Sequence, residues 1–311
     1  MQSYVLRRFL SMFMALFIIV TLTFLLMQLL PGTPYGNIDE LTDNQIELLD
    51  QKYGLDQPVA VQYVKYLGNL IQGDLGLSFK YAGRSVNDII GERIGPSALI
   101  GFQGLIIGAI VGLILGITSA LRHNTFVDYG AVVIAVLGMS IPSFIFAALM
   151  QYFIGVKLGW LPPALWEGYQ HTIMPSIALS VIVIATVARF IRTEMLEVLG
   201  QDYVLTAKAK GISRQRIVIE HVVRNALIPV ITMLAPLTVG LLTGTLVIEK
   251  IFAVPGIGEQ FTMSIMLNDY SVIMGITIFY SIIFVIVIFL VDLLYVIVDP
   301  RIRLDGVEAK S

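Results

Sequence analysis

Seven of the chain's 20 lysine and arginine residues fall from the end of one apolar run to the start of the next: Arg189, Arg192, Lys208, Lys210, Arg214, Arg216 and Arg224, with Gly211 in their midst. Cations at that density suit acidic groups, either lipid phosphates or the carboxylates of a docked protein. Ala207 and Ala209 beside the glycine are small enough for a partner's surface to come near the backbone. Other chemistry is sparse. The absence of cysteine excludes disulfides, thiol nucleophiles and cysteine metal sites, and three scattered histidines (His123, His171, His221) build no histidine-rich one. No G-x-x-x-x-G-K-[ST] phosphate loop occurs, so no ATP site of the chain's own is evident. Ser140, after Gly138 and Met139, offers a nucleophile for an intramembrane hydrolase, but neither G-x-S-x-G nor H-E-x-x-H accompanies it, and a helical serine beside Pro142 ordinarily bonds its own backbone. Asp292 is an acid within an apolar run, which reads either as a proton relay or as a hydrated helix-end residue near Asp299. The expectation is a chain with no catalytic residue, no metal, no bound cofactor and no nucleic-acid partner.

The elements that must position these residues are membrane helices. With 57% hydrophobic residues, 14% charged residues and a mean hydropathy of +0.84, the apolar surface exceeds what one soluble core hides, so a lipid bilayer is the expected solvent. Runs of about 20 residues suffice to cross the hydrocarbon. Six are read, near 9–30, 99–121, 130–155, 172–191, 226–247 and 272–297. The first follows Arg7 and Arg8 and ends in Leu-Pro-Gly-Thr-Pro with no small-residue cleavage site, as an uncleaved anchor does. With the N-terminus inside, thirteen basic residues fall on the inner side and seven on the outer, which places both termini in the cytoplasm.

The division that follows is an anchor helix at 1–30, an extracytoplasmic helical insertion at 31–98, a core of five spans at 99–300 with a cytoplasmic loop at 192–229, and a tail at 301–311. In the insertion, Thr42 to Gly54 reads as a capped helix and Pro58 to Leu70 as a second, amphipathic one closed by Gly73. Nine acids against five bases make that segment a solvated acidic face or a surface for cationic ligands. In the second run Gly104, Gly108, Gly112 and Gly116 recur every four residues, leaving one helix face bare for close packing or for a moving pathway; Gly240 and Gly244 repeat this in the fifth. Between the fourth and fifth runs, Arg192 to Lys210 reads as a helix, Gly211 as its left-handed end, and Ser213 as the cap of a second helix with Ile217, Val218, Val222 and Ala226 on one side. Both helices are expected on the inner surface before the chain re-enters the bilayer.

The run DYVLTAKAKGISRQRIVIEHVVRNALIPVI resembles the "EAA" loop of ABC-transporter permeases, in the longer form of the dipeptide, oligopeptide and nickel permeases. Leu205 and Thr206 stand where the generic motif has an acid and its first alanine; Ala207 and Gly211 hold. Six further blocks resemble that family in its usual order: YVLRRFLSMF with LLPGTP, GDLGLSF at 73–79, GMSIPSF at 138–144, LGWLP at 158–162, VIEKIFAVPGIG at 247–258 and VDPRIR at 298–303.

The resemblance implies an all-α membrane protein with six transmembrane helices in the type I ABC-permease (MetI-like) fold, in the bacterial inner membrane. It further implies a second homologous permease subunit, two cytoplasmic ATPase subunits that hold ATP and Mg, and an extracytoplasmic binding protein that delivers cargo. Tyr203, Ala207, Lys208, Gly211 and Ile212 would then form the ATPase contact, and Glu249 with Pro255, Gly256 and Gly258 an outer gate or receptor contact, against the plainer reading of a structural turn. Members of the family carry dipeptides, longer peptides, glutathione or nickel. The blocks look nearest to oligopeptide permease B subunits, so oligopeptides rank first. An ion-coupled secondary transporter is the rival class, against which no inverted repeat is visible between the halves.

Overall fold

The computed structural model describes residues 2–29, 42–81, 83–242 and 246–298, with side chains at all of these except 2–7, 235, 242 and 291–298. The proline-glycine run after the first helix, Asp39, Glu40, Gly244, the Asp292 side chain, Asp299 and the tail with Arg301, Arg303 and Lys310 lie outside the described residues. Among the described residues, five helices are long and apolar enough to span a membrane: Arg8–Leu29, Val86–Leu121, Gln170–Leu199, Arg214–Leu234 and Tyr270–Leu290. Two bent pairs raise the number of spans to as many as seven. The chain forms two compact units, Met1–Gly95 with Gly256–Val285, and Pro96–Pro255 with Ile286–Ser311.

In the first unit, α1 (Gln2–Leu29) leaves Phe13, Met14, Leu22 and Leu26 exposed, as a helix whose solvent is lipid does, and buries Val20 and Phe24. Phe24 packs on Tyr63 and Tyr66 of α3 (Val59–Ile71), with ring centroids 5.3 and 5.6 Å away, and Thr21 Oγ1 lies 2.6 Å from Tyr63 Oη. Burial pushes the Tyr66 phenol above its ordinary range and keeps it neutral. The expected caps of α2 (Asp43–Tyr53) are present. The Thr42 N–H donates to Gln45 Oε1 at 2.9 Å, and Gly54 ends the helix at φ +70°. The loop after α3 turns at Gly73 and Gly76, both with positive φ, and Asn87 holds it by accepting from the Leu75 N–H and donating to the Gly73 carbonyl.

That loop ends on a buried carboxylate. Asp269, just before α13 (Tyr270–Val298), accepts from the Ser78 hydroxyl and, at 3.1 Å, from the Phe79 N–H. Ser78 Oγ in turn accepts from the N–H groups of Lys80 and Tyr81. Beside this junction, Val86, Ile89 and Ile90 at the start of α4 (Val86–Leu121) pack with Ile257 of α12 (Ile257–Leu267) and with Val272 and Ile276. Arg93 reaches Glu259 at 3.2 Å. The helix expected from residue 99 thus starts thirteen residues earlier: Asp88, Glu92 and Arg93 hide its first turns from a hydropathy reading but do not disfavour helix.

The second unit is built on α7 (Gln170–Leu199), which buries Met174, Ala178, Leu179, Val183, Val187, Ile191 and Met195 along one side. The α4 glycines meet that side. A Cβ at Gly104, Gly108, Gly112 or Gly116 would lie 2.9, 2.4, 2.8 or 2.2 Å from Leu179, Val183, Val187 or Ile191. Gly240 has no such neighbour within 4 Å. The run expected near 130–155 is not one straight span but two pieces, α5 (Phe126–Ser140) and a second that starts with α6 (Ser143–Met150), bent by 99°. Ile141 precedes Pro142 and is held extended, which interrupts the helix. A π-helical turn, Gln151–Lys157, follows α6. Gln151 donates to the carbonyls of Pro163 and Ile251, and the Leu165 N–H donates to Phe252 O, tying the Leu-Gly-Trp-Leu-Pro corner to α11 (Leu246–Phe252).

Candidate functional site: a short helix on a left-handed turn

The polar connection after α7 differs from its expected form in two ways. Arg192 to Lys210 is not one helix. The α7 helix runs on to Leu199 and stops at Gly200, Gln201 is extended, and a new helix α8 (Asp202–Ala209) begins with Asp202 in its first turn. Glycine's low helix propensity and a favourable acid at the new N-terminus account for the restart. Past Gly211 there is no separate surface helix either: α9 (Arg214–Arg216), a π-helical turn (Ile217–Val223) and α10 (Arg224–Leu242) follow without interruption, so the second helix is the beginning of the span.

The turn between α8 and α9 is fully specified by its hydrogen bonds. Gly211 has φ +75°, its N–H donates to Lys208 O at 3.0 Å, and the Ile212 N–H donates to Ala207 O at 3.3 Å. These two bonds define a Schellman cap, with Ile212 half-buried against the Ala207 end of the helix. Val204 and Ala207 turn inward and share a core with Met195, Ile217, Val222 and Ala226. Ala207 is 5% exposed, so it supports α8 from beneath. Tyr203, Leu205, Thr206 and Lys208 face outward, with Leu205 53% exposed. Asn225 donates to Tyr203 Oη at 3.0 Å and steadies the ring. Lys210, Arg214 and Arg216 extend the surface, and Arg216 pairs with Glu220 one turn on.

Among the described residues, two acids besides Asp269 are buried. Glu249 of α11 is 0% exposed and accepts from Ser97 Oγ at 2.7 Å, both within the second unit. Its carbonyl accepts from the Val254 N–H at 2.8 Å, closing the corner that leads to Pro255. Gly256 and Gly258 are buried in the first unit, where Gly256 is the N-terminal cap position of α12. Asp128, in the first turn of α5, is buried too and was not singled out by sequence. It accepts from Ser119 Oγ, from the Asn124 N–H and from Arg192. An acid two residues ahead of the 130–155 run was the available signal. Among the described residues, no cluster of histidine, cysteine or carboxylate side chains could hold a metal.

An all-helical chain with five to seven apolar spans, and a short outward-facing helix between two of them, has the architecture of a MetI-type ABC-transporter permease. A solved structure described as an amino acid ABC transporter with histidines shares the fold, with a TM-score of 0.53 at 14% identity over 67% of this chain and 93% of that one. The chain belongs to the family of binding-protein-dependent transport system inner membrane components, whose model matches residues 112–304, while the family's N-terminal model matches 1–92. Among curated relatives, the dipeptide transport system permease protein DppB of Lactococcus lactis subsp. cremoris (strain MG1363) is 45% identical over 98% of this chain and 100% of its own length. The oligopeptide transport system permease protein OppB of Escherichia coli (strain K12) is 38% identical over 97% of this chain and all of that one.

Proposed function

We propose that this chain is a membrane-spanning subunit of an ATP-driven importer of peptides, paired with a second permease and receiving cargo from an extracytoplasmic binding protein. The observation that carries the reading is the match, over essentially the whole of both chains, to peptide permeases at 38% to 46% identity. Energy comes from two partner ATPases, which hold ATP and Mg. Both termini and α8 lie on the cytoplasmic side, in keeping with the division of basic residues.

The outward face of α8 is the ATPase contact. Tyr203 and Leu205 supply apolar area, and Lys208 and Lys210 meet acids on the ATPase groove. Gly211 and Ile212 hold the helix at its angle through the Schellman cap, while Ala207 acts from beneath. Aspartate at 207 would therefore bury a charge and unfold the loop, which makes it a poor probe of the contact. The chain has no cysteine, so single cysteines are clean reporters. Leu205→Cys and Lys208→Cys are expected to cross-link to the ATPase in the assembled complex, and Val204→Cys, which is fully buried, is not. Cross-links to the ATPase that form only from cysteines elsewhere in the chain would refute this assignment. Oligopeptide cargo, the reading drawn from the sequence blocks, stands beside a dipeptide reading favoured by the higher identity to DppB. Uptake of labelled alanine peptides from dipeptide to hexapeptide, in a strain lacking the gene, decides between them.

A further inference from the structure

Asp128 is 1% exposed, and what it binds comes from two other helices and from the turn before its own. Ser119 donates from α4, the Asn124 N–H donates from the turn before α5 at 2.9 Å, and Arg192 of α7 closes a fork on both oxygens, Nε at 2.7 Å and Nη2 at 3.0 Å. His123 Nδ1 lies 3.0 Å from the same carboxylate. Two parallel charge-assisted bonds fix direction as well as distance, so α7 cannot rotate or slide at this level without moving Asp128.

Arg192 is two helical turns before Gly200, and α8 follows after a connection with no slack. Gly200, Gln201 and Val204 donate in succession to Glu197, Val198 and Gln201. Val204 and Ala207 belong to the same buried cluster as Met195 and pack against the 217–223 turn, which itself meets α7, so α8 is held to the end of α7 both by the hydrogen-bonded turn and through that shared neighbour. At its other end, α5 runs to the 99° break at Ile141 and Pro142. A stiff helix end, a two-bond fork and a broken hairpin thus lie in series.

We propose that the Asp128–Arg192 fork is the positioning pair through which displacement of α8 reaches the α4–α5 hairpin. This inference rests on the transport function proposed above. A pair that served stability alone would change the amount of assembled complex; a pair that transmits displacement changes how many peptides cross per ATP.

The test is the full complex in proteoliposomes with its binding protein, measuring ATP hydrolysis and peptide uptake together. Asp128→Asn removes the charge, and Arg192→Lys keeps a charge but loses the fork. Asp128→Asn is expected to transport about tenfold fewer peptides per ATP than the unmodified complex, the scale of an ordinary coupling energy, with Arg192→Lys in between. An unchanged ratio in both variants overturns the proposal. So does failure of both to assemble, which would mark the pair as structural only. If only Arg192→Lys assembles, its ratio decides. Absence of ATP-driven uptake by the unmodified complex would refute the transport function itself, whereas normal uptake with unchanged variant ratios refutes only the role of the fork.

Discussion

Replacing Gly116 with leucine is expected to leave little or no folded permease. A Cβ at this position would lie 2.2 Å from Ile191 Cγ2 and 2.4 Å from the backbone oxygen of Ala188. A side chain can change rotamer, but a helix carbonyl cannot move without displacing α7. Alanine alone should therefore cost about 3 kcal/mol, at the upper end of ordinary overpacking, and leucine more. Gly108, whose Cβ would meet Val183 at 2.4 Å, should behave alike. Gly240→Ala is the control, since nothing lies within 4 Å of its Cβ position. Thermal unfolding and size-exclusion profiles of the solubilised protein are the measurements. A monodisperse Gly116→Leu protein with an unchanged midpoint would show that α4 and α7 do not touch along this face.

Asp269→Ala is expected to destabilise the first unit by about 4 kcal/mol, because it removes the acceptor shared by the buried Ser78 hydroxyl and the half-buried Phe79 N–H. The Phe79 N–H loses its acceptor, and the Ser78 hydroxyl loses the group it donates to. Asparagine should cost roughly half as much. Its oxygen can still accept from Phe79, but its amide would face a Ser78 oxygen that already accepts from Lys80 and Tyr81. Limited proteolysis should find the 73–85 loop cleaved faster in the alanine variant, with the asparagine variant between the two. Equal cleavage rates in all three proteins would mean that Asp269 does not hold the loop.

What sequence made legible here was local. The caps at Thr42 and Gly54 and the left-handed Gly211 depend on a few neighbouring residues, so motif and spacing reveal them. The apolar windows were visible because hydrocarbon demands them. Where a window's edge was polar, as at Val86 to Gly95, the helix extended past it unseen. Pro142 was in view, but the apolar residues on both sides of it disguised the break. The ionic and hydrogen-bonded pairs were beyond reach for a different reason: Arg192 and Asp128 are 64 positions apart, and Ser78 and Asp269 are 191. Nothing near either residue in the chain marks its partner. In the candidate site, the left-handed end at Gly211 was legible, but neither the restart at Asp202 nor the faces of α8 were. The packing of Ala207 and Val204 into the core, which leaves Leu205 outside, follows from how α8 sits on the 217–223 turn.

The central claim is that transport through this chain is driven by ATP hydrolysed on partner subunits. Its most direct test is peptide uptake by proteoliposomes holding the chain alone or assembled with its second permease and ATPases, with binding protein present and ATP supplied or withheld. Uptake only by the full assembly, and only with ATP, is the predicted result. Uptake by the chain alone, driven by an ion gradient without ATP, would contradict it.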